Sequence, residues 1–322
     1  MKRILCAIPT RGRYDLALPM ALSAVLNQTM KPDHLIIFDD NDDPVDIRNI
    51  EIFRYLLHTF DLKGISWEVI FGRKKGQHHS HQIANTYGFE WVWRVDDDTV
   101  PESNVLETLW SYVNPGLGAV GGSILTPPFA PVVGATGKIE NISAEPSLQW
   151  DYIKEVQSVD HLHCSFLYRA GVHDYNLSLS RAAFREETLF TYGLKQKGYE
   201  LLAVPNAVTW HYKHNKGGVR PEMKEMFDRD DQIFRNILGF DKQTIVVLDN
   251  GMGDHIVFNK VLPEIKNPVI FSCYPEIVPG RSIADAISLF GDIGPYNVYQ
   301  KMDQWNWKGS LEEAFRKMYV NN

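Results

Sequence analysis

Residues 3–44 read RILCAIPTRGRYDLALPMALSAVLNQTMKPDHLIIFDDNDDP, and this stretch decides the fold class. Arg3 to Ile8 is a short apolar run closed by Pro9, the pattern of a buried strand feeding the loop Pro9-Thr10-Arg11-Gly12-Arg13. From Leu16 to Gln28 the apolar positions Leu18, Leu22, Val25 and Leu26 fall at helical spacing. A second strand, His34 to Phe38, runs straight into Asp39-Asp40-Asn41-Asp42-Asp43-Pro44. Strand, helix, strand and acidic loop make a βαβ unit. Such a unit places its loops at the carboxyl ends of parallel strands, where open α/β sheets bind ligands.

The same alternation continues outward. A helix is expected over 45–60, a strand at Trp67–Phe71, a helix at His81–Tyr87 and a strand at Trp91–Val95 that ends in Asp96-Asp97-Asp98. A helix at Glu102–Val113 precedes a Gly- and Pro-rich passage, 116–137, holding one strand, Ala119–Leu125. Then come strand-like His161–Arg169, a helix at Glu187–Gly198, and strands at Glu200–Val204 and Ala207–His211. Pro221 opens a helix with Met223, Met226, Phe227, Phe234 and Leu238 at roughly helical spacing, and Gly239 stops it. Beyond it, Thr244–Leu248 runs into Asn250-Gly251-Met252-Gly253-Asp254, followed by a helix and the strand Pro268–Ser272. The expected organisation is an α/β domain over 1–220, a connecting helix at 221–239 and a small Rossmann-like α/β domain over 240–322.

Composition narrows the function classes. The 322 residues are 44% hydrophobic and 23% charged, which excludes a disordered or fibrous chain. No apolar run approaches the ~18–20 residues of a spanning helix. The start, MKRILCAIPTRGR, meets Pro9 and charged residues too soon for a signal peptide, so a cytoplasmic protein is expected. Cys6, Cys164 and Cys273 are widely spaced, which argues against disulfides and structural zinc. The formal net charge is -7, from 33 basic and 40 acidic residues. Seven of the acids, Asp39, Asp40, Asp42, Asp43, Asp96, Asp97 and Asp98, sit in two loops at one sheet edge, leaving 33 against 33 elsewhere. A protein held to nucleic acid by bulk charge is excluded, while a local patch is not.

The densest chemistry is Arg94-Val95-Asp96-Asp97-Asp98. Adjacent carboxylates repel in a low-dielectric setting unless a cation sits among them. If the chain stays extended, Asp96 and Asp98 point the same way and can face a hard ion such as Mn²⁺ or Mg²⁺. The other reading is an acidic turn opening the helix after Pro101. Asp39 and Asp40 end a strand on the same edge, where a carboxylate can accept from a base or ribose. Arg11 or Arg13 can meet a phosphate there.

In that order, Ile8-Pro9-Thr10-Arg11-Gly12-Arg13, Phe38-Asp39-Asp40 and Val95-Asp96-Asp97-Asp98 resemble the nucleotide-sugar half of GT-A fold glycosyltransferases, especially family 2. Phe184-Arg185-Glu186-Glu187-Thr188, Lys197-Gly198-Tyr199 and Pro205-Asn206-Ala207-Val208-Thr209-Trp210-His211 continue the resemblance over residues 1–220. It implies a GT-A, Rossmann-like, mostly parallel mixed sheet and a metal-dependent, inverting transfer from a UDP-sugar. Asp96, Asp98 and His211 would hold Mn²⁺ or Mg²⁺. Pro9, Thr10, Arg11, Arg13, Asp39, Asp40, Asp96 and Asp97 would hold the nucleotide. The base would be Glu187 or Glu186. Arg73, Lys75 and Gln77 are further phosphate or sugar candidates.

Three points stay open on the sequence. The acceptor is a saccharide or another hydroxyl, a hydroxymethylated base in DNA included, and Trp150 is the candidate for stacking on it. The 247–255 segment resembles the first strand and loop of heptosyltransferase-like GT-B enzymes, and the C-terminal domain is a candidate oligomer contact. A non-catalytic sugar-nucleotide or glycan binder and a nucleotidyltransferase are the competing classes.

Overall fold

The computed structural model describes residues 3–72, 74–127, 139–140, 147–148, 154–212, 217–218, 224–238, 244–248, 251–264 and 268–282. Arg73 and Trp150 lie outside the described residues. The first elements are β1 (Ile4–Thr10), α1 (Ala17–Leu26), β2 (His34–Asp39), α2 (Glu51–Leu62), β3 (Ser66–Phe71), α3 (Gln77–Asn85) and β4 (Trp91–Arg94). All four strands are parallel, in the order β3-β2-β1-β4. The chain steps outward from β1 to β3 and then returns to the other side of β1. That reversal is a topological switch point, and the loops after β1, β2 and β4 converge on it.

Both faces of β1 are buried. Ile4, Cys6 and Ile8 pack with Leu18, Leu22 and Val25 of α1 and Phe53, Leu57 and Phe60 of α2. Leu5 and Ala7 face the opposite core with Ala84 of α3. This is why residues 3–8 read as a continuous apolar run rather than an alternating one. The strand nevertheless continues through Pro9 to Thr10, beyond the expected stop. Ala7 accepts from Val95 on the β4 side and Thr10 accepts from Asp40 on the β2 side. Pro9 shares the orientation of Ala7 and faces the side where β4 has already ended, so its missing N–H leaves no ladder bond unmade.

The second half begins with β5 (Thr99–Pro101), α4 (Val105–Trp110) and β6 (Leu117–Leu125). Two short strands, β7 (Ile139–Glu140) and β8 (Ser147–Leu148), pair with each other. They are followed by β9 (Gln157–Ser158), β10 (Phe166–Arg169), α5 (Glu186–Gln196) and β11 (Glu200–His211). The sheet extends from β4 through β10, β6 and β11 to β5, with β10 antiparallel to both its neighbours. The mixed α/β class expected from the sequence is the one observed.

Several boundaries differ for identifiable reasons. α3 begins at Gln77, not His81, because Gly76 at φ 99 turns the chain. Its first turn buries His78, Ser80 and His81 instead of an apolar stripe. Glu200 to His211 is one strand whose register shifts between Val204 and Val208, around Pro205, where two strands were expected. Of the expected 161–169 strand only Phe166–Arg169 forms a continuous strand, since Cys164 adopts φ 56. Residues 162–165 are thereby turned out of the ladder, and His161 makes only an isolated bridge.

The chain divides into two compact units, one of residues 1–139 and 148–234, the other of 140–147 and 235–322. The division falls inside α6 (Lys224–Leu238), after Phe234. In the second unit β12 (Thr244–Leu248), α7 (Met252–Val261), β13 (Pro268–Ser272) and β14 (Arg281–Ser282) form a parallel three-stranded sheet with one crossover helix. Among the described residues no helix is long and apolar enough to cross a membrane.

The register shift in β11 brings the Ala207 carbonyl over Gly122, where a Cβ would lie 1.7 Å from that oxygen. Overpacking of this kind costs about 1–3 kcal/mol or more. Gly122→Ala is therefore expected to lower the melting temperature by several degrees, measured by thermal unfolding. An unchanged melting temperature would contradict the β6–β11 packing.

Candidate active site

The loops at the switch point surround a cavity of about 390 Å³ in the first unit. Pro9, Thr10, Arg11, Arg13, Asp40, Gln77, Asp96, Asp97, Asp98, Glu187 and His211 line it, as do His163 and the wall 181–185. Most of the residues singled out in the sequence therefore come together. Asp39 does not line it: its carboxylate accepts from Tyr14 Oη and from Asn41 N and Nδ2, and so holds the loop from beneath. Asp40 accepts from the backbone N–H groups of Lys75 and Gly76, at 3.2 and 2.9 Å. That contact pins the loop leading into α3.

The three aspartates divide differently from the extended-strand expectation. β4 ends at Arg94 and Asp97–Asp98 lie in a turn, so strand alternation no longer sets their directions. Arg13 reaches both of them, Nη1 to Asp97 at 2.5 Å and Nη2 to Asp98 at 3.0 Å. Thr10 Oγ1 donates to Asp97 at 2.7 Å. Burial pushes the Asp97 carboxyl up to about 6, against the pull of Arg13. Asp98 Oδ1 sits 3.4 Å from His211 Nε2. Asp96 is set apart on Arg94 Nη2, at 3.2 Å.

Arg94 is the centre of the floor. Its side chain is fully buried, with Nη1 2.5 Å from Glu186 and Nη2 3.0 Å from Glu187, and Nε donates to the Cys164 carbonyl at 3.2 Å. Glu187 also meets His163 Nδ1 at 3.3 Å and accepts from Cys164 N at 3.3 Å. Burial pushes both glutamates up, yet His163 and Arg94 outweigh it at Glu187 and hold that carboxyl well below the usual range. At Glu186 burial prevails, with Glu187 adding to it, and the carboxyl rises to about 8 despite Arg94. Burial opposes protonation of His163, but Glu187 outweighs it and raises the imidazole. Glu186 lies behind the cavity, where Gln77 Nε2 donates to it at 3.0 Å.

The wall 181–185 is held by Asp230 of α6, a fully buried carboxylate. It accepts from Ser180 N, Ser180 Oγ and Phe184 N at 2.6, 2.8 and 3.0 Å. Ala183 and Arg185 both take positive φ, 51 and 66. Strain of this kind persists where surrounding contacts over-determine the backbone. Arg94, His163, Cys164 and Asp230 were not singled out as functional from the sequence. For Arg94 a signal existed, because a charged residue inside Trp91-Val92-Trp93-Arg94 must find buried carboxylates.

The comparisons with known proteins agree with this architecture. A solved structure of GalNAc-T7 with UDP, GalNAc and Mn²⁺ superposes with a TM-score of 0.56 over 94% of this chain and 58% of that one, at 12% sequence identity. The chain has the GT-A fold. Galactofuranosyltransferase GlfT1 of Mycolicibacterium smegmatis is 32% identical over 109 residues. That match covers 34% of each protein, so the chain is aligned with about a third of that relative. No family model matches the chain.

The raised Glu186 carboxyl has a consequence for stability. A carboxyl moved from 4.5 when unfolded to about 8 when folded binds its proton more tightly in the native state. Stability then falls as pH rises from about 4.5 through about 8. Glu186→Gln, which can still accept from Arg94 and Gln77, is expected to gain stability over the parent between pH 5 and pH 9. Denaturant unfolding across that range checks it, and parallel pH profiles for the two proteins would contradict it.

Proposed function

We propose that the protein is a metal-dependent, inverting glycosyltransferase that moves a sugar from a UDP-sugar to a saccharide hydroxyl. The observation that carries this reading is the joint placement of the Asp98–His211 pair and the Glu187 carboxylate on one cavity at the switch point. The names of the two similar proteins, a galactofuranosyltransferase and a structure holding UDP and Mn²⁺, support the same class.

The donor set suits a hard divalent ion. Asp98 offers carboxylate oxygens and His211 an imidazole nitrogen 3.4 Å from it, donor types that suit Mn²⁺, with Asp96 held apart on Arg94. On the floor Arg94 and His163 are the cationic partners of Asp96 and Glu187, while the raised Glu186 carboxyl sits behind. When bound, the ion would neutralise charge developing on the leaving diphosphate. Arg13 keeps Asp97 and Asp98 fixed beneath it, and the Pro9–Arg13 loop with Asp40 forms the nucleoside side.

In the transfer itself the acceptor oxygen forms its bond to the anomeric carbon as the carbon–oxygen bond to the diphosphate breaks. UDP leaves with the electron pair, and the acceptor proton goes to a carboxylate. Glu187 lines the cavity and is kept ionised by His163 and Arg94, which supports it as that base. Glu186 holds Arg94 from behind and acts as a positioning residue. A single base acting in direct displacement gives inversion of configuration.

A panel of UDP-sugars that includes UDP-galactofuranose, assayed with Mn²⁺ against saccharides and hydroxymethylated DNA, tests the reading. Release of UDP that requires Mn²⁺ is expected. Glu187→Gln should lower kcat by about 10²- to 10⁴-fold with little change in donor KM, and Asp98→Ala should abolish the metal dependence. Pyrophosphate as product would place the protein among nucleotidyltransferases. No UDP from any donor, with Asp98→Ala indistinguishable from the parent, would sink the enzyme reading.

A further inference from the structure

Cys164 places a thiol against the cavity floor that the sugar transfer leaves without a role. Its Sγ lies 3.5 Å from Nδ1 of His211. One ligand atom from each of His163, Cys164 and His211 lies within 4.8 Å of the others, and both imidazoles line the cavity. A thiolate sulfur about 2.3 Å and an imidazole nitrogen about 2.0–2.1 Å from one tetrahedral ion stand roughly 3.5 Å apart. The Cys164–His211 separation is already that edge.

We propose that His163, Cys164 and His211 form a binding site for a soft divalent ion of the Zn²⁺ class, and that such an ion excludes the hard ion from the cavity. Two imidazoles and a thiolate are borderline-soft donors that favour zinc over manganese or magnesium. Glu187 borders the set without belonging to it, since it groups within 4.8 Å with Cys164 and Asp96 instead. Coordination replaces the thiol proton with a metal–sulfur bond and releases that proton to solvent, with no change of oxidation state.

Two features of the surroundings favour the site. Cys164 takes φ 56, a conformation costly for a residue with a Cβ, and its backbone carbonyl and N–H are held by Arg94 and Glu187. The His211 ring presents Nδ1 to the sulfur while Nε2 faces Asp98 at 3.4 Å. With Nε2 protonated and donating to Asp98, the ring has the carboxylate–histidine arrangement that orients zinc ligands.

That tautomer also explains the exclusion. A neutral imidazole has one lone pair, so His211 can serve an ion through Nδ1 or through Nε2 but not both. The hard ion beside Asp98 needs Nε2, and the soft ion beside Cys164 needs Nδ1. Only the exclusion, and not the binding, rests on the transferase reading.

Titrating the full chain with Co²⁺ alone tests the site. A near-ultraviolet sulfur-to-cobalt absorption that saturates at one ion per chain is expected, and Zn²⁺ should bleach it. Cys164→Ser should abolish the band. Cys273→Ser should keep it, although Cys273 lies 3.6 Å from His255 Nε2 in the second unit and is the rival thiol–imidazole pair. His163→Gln should weaken Co²⁺ binding by at least the roughly 10- to 100-fold that outer partners of metal ligands cost. No band in the parent, a band that survives Cys164→Ser, or one untouched by His163→Gln would overturn the proposal. Zn²⁺ should also raise the Mn²⁺ concentration needed for UDP release. A cobalt band without turnover on any donor would fail the transferase reading and leave this site standing, and turnover without a band would do the reverse.

Discussion

The guanidinium of Arg94 is buried among Asp96, Glu186 and Glu187, and the candidate site is built around it. A charge at the end of a central strand is tolerated only when paired, and breaking such a pair costs about 3–5 kcal/mol. Here one cation ties β4 to the start of α5 and, through the Cys164 carbonyl, to the segment before β10. Elements far apart in the chain are thereby fixed to one point. The same pairing splits two adjacent glutamates, leaving one ionised on the cavity and the other raised behind it. Divergent environments for neighbouring carboxyls are a recurrent way of separating a reacting group from a supporting one.

The sheet supplies the rest of the geometry. Parallel order around β1 delivers the Thr10–Arg13, Asp40 and Asp96–Asp98 loops to one edge, and the antiparallel β10 and long β11 carry the opposite wall. Much of the negative charge that seemed to gather there is answered from within the chain. Arg13 meets Asp97 and Asp98, Arg11 meets Asp42, and Arg94 meets Asp96.

The first βαβ unit was legible because two-face burial and helical periodicity leave strong patterns in residues 3–38. The loops that follow each strand were legible as a group, since they share an edge whatever their side chains do. Which member acts was not. Asp39 and Asp40 are adjacent and identical in type, and only the Tyr14 and Asn41 contacts show that Asp39 holds the loop. Cys164 was hidden inside a run that reads as strand, because no pattern announces a cysteine at positive φ. Arg94 had a signal in its apolar neighbours, but its three partners are distant in sequence or masked by helix-start chemistry.

The proposed transfer depends on a diphosphate lying beside Asp98 and His211 with the transferred sugar facing Glu187. A crystal structure of the protein with UDP and Mn²⁺ tests that most directly. Uracil is expected against the Pro9–Arg13 loop and Asp40, and the ion on Asp98 with its phosphates next to it. A nucleotide held instead at the start of α7 in the second unit, around Gly251 and Gly253, with the first cavity vacant, would contradict it.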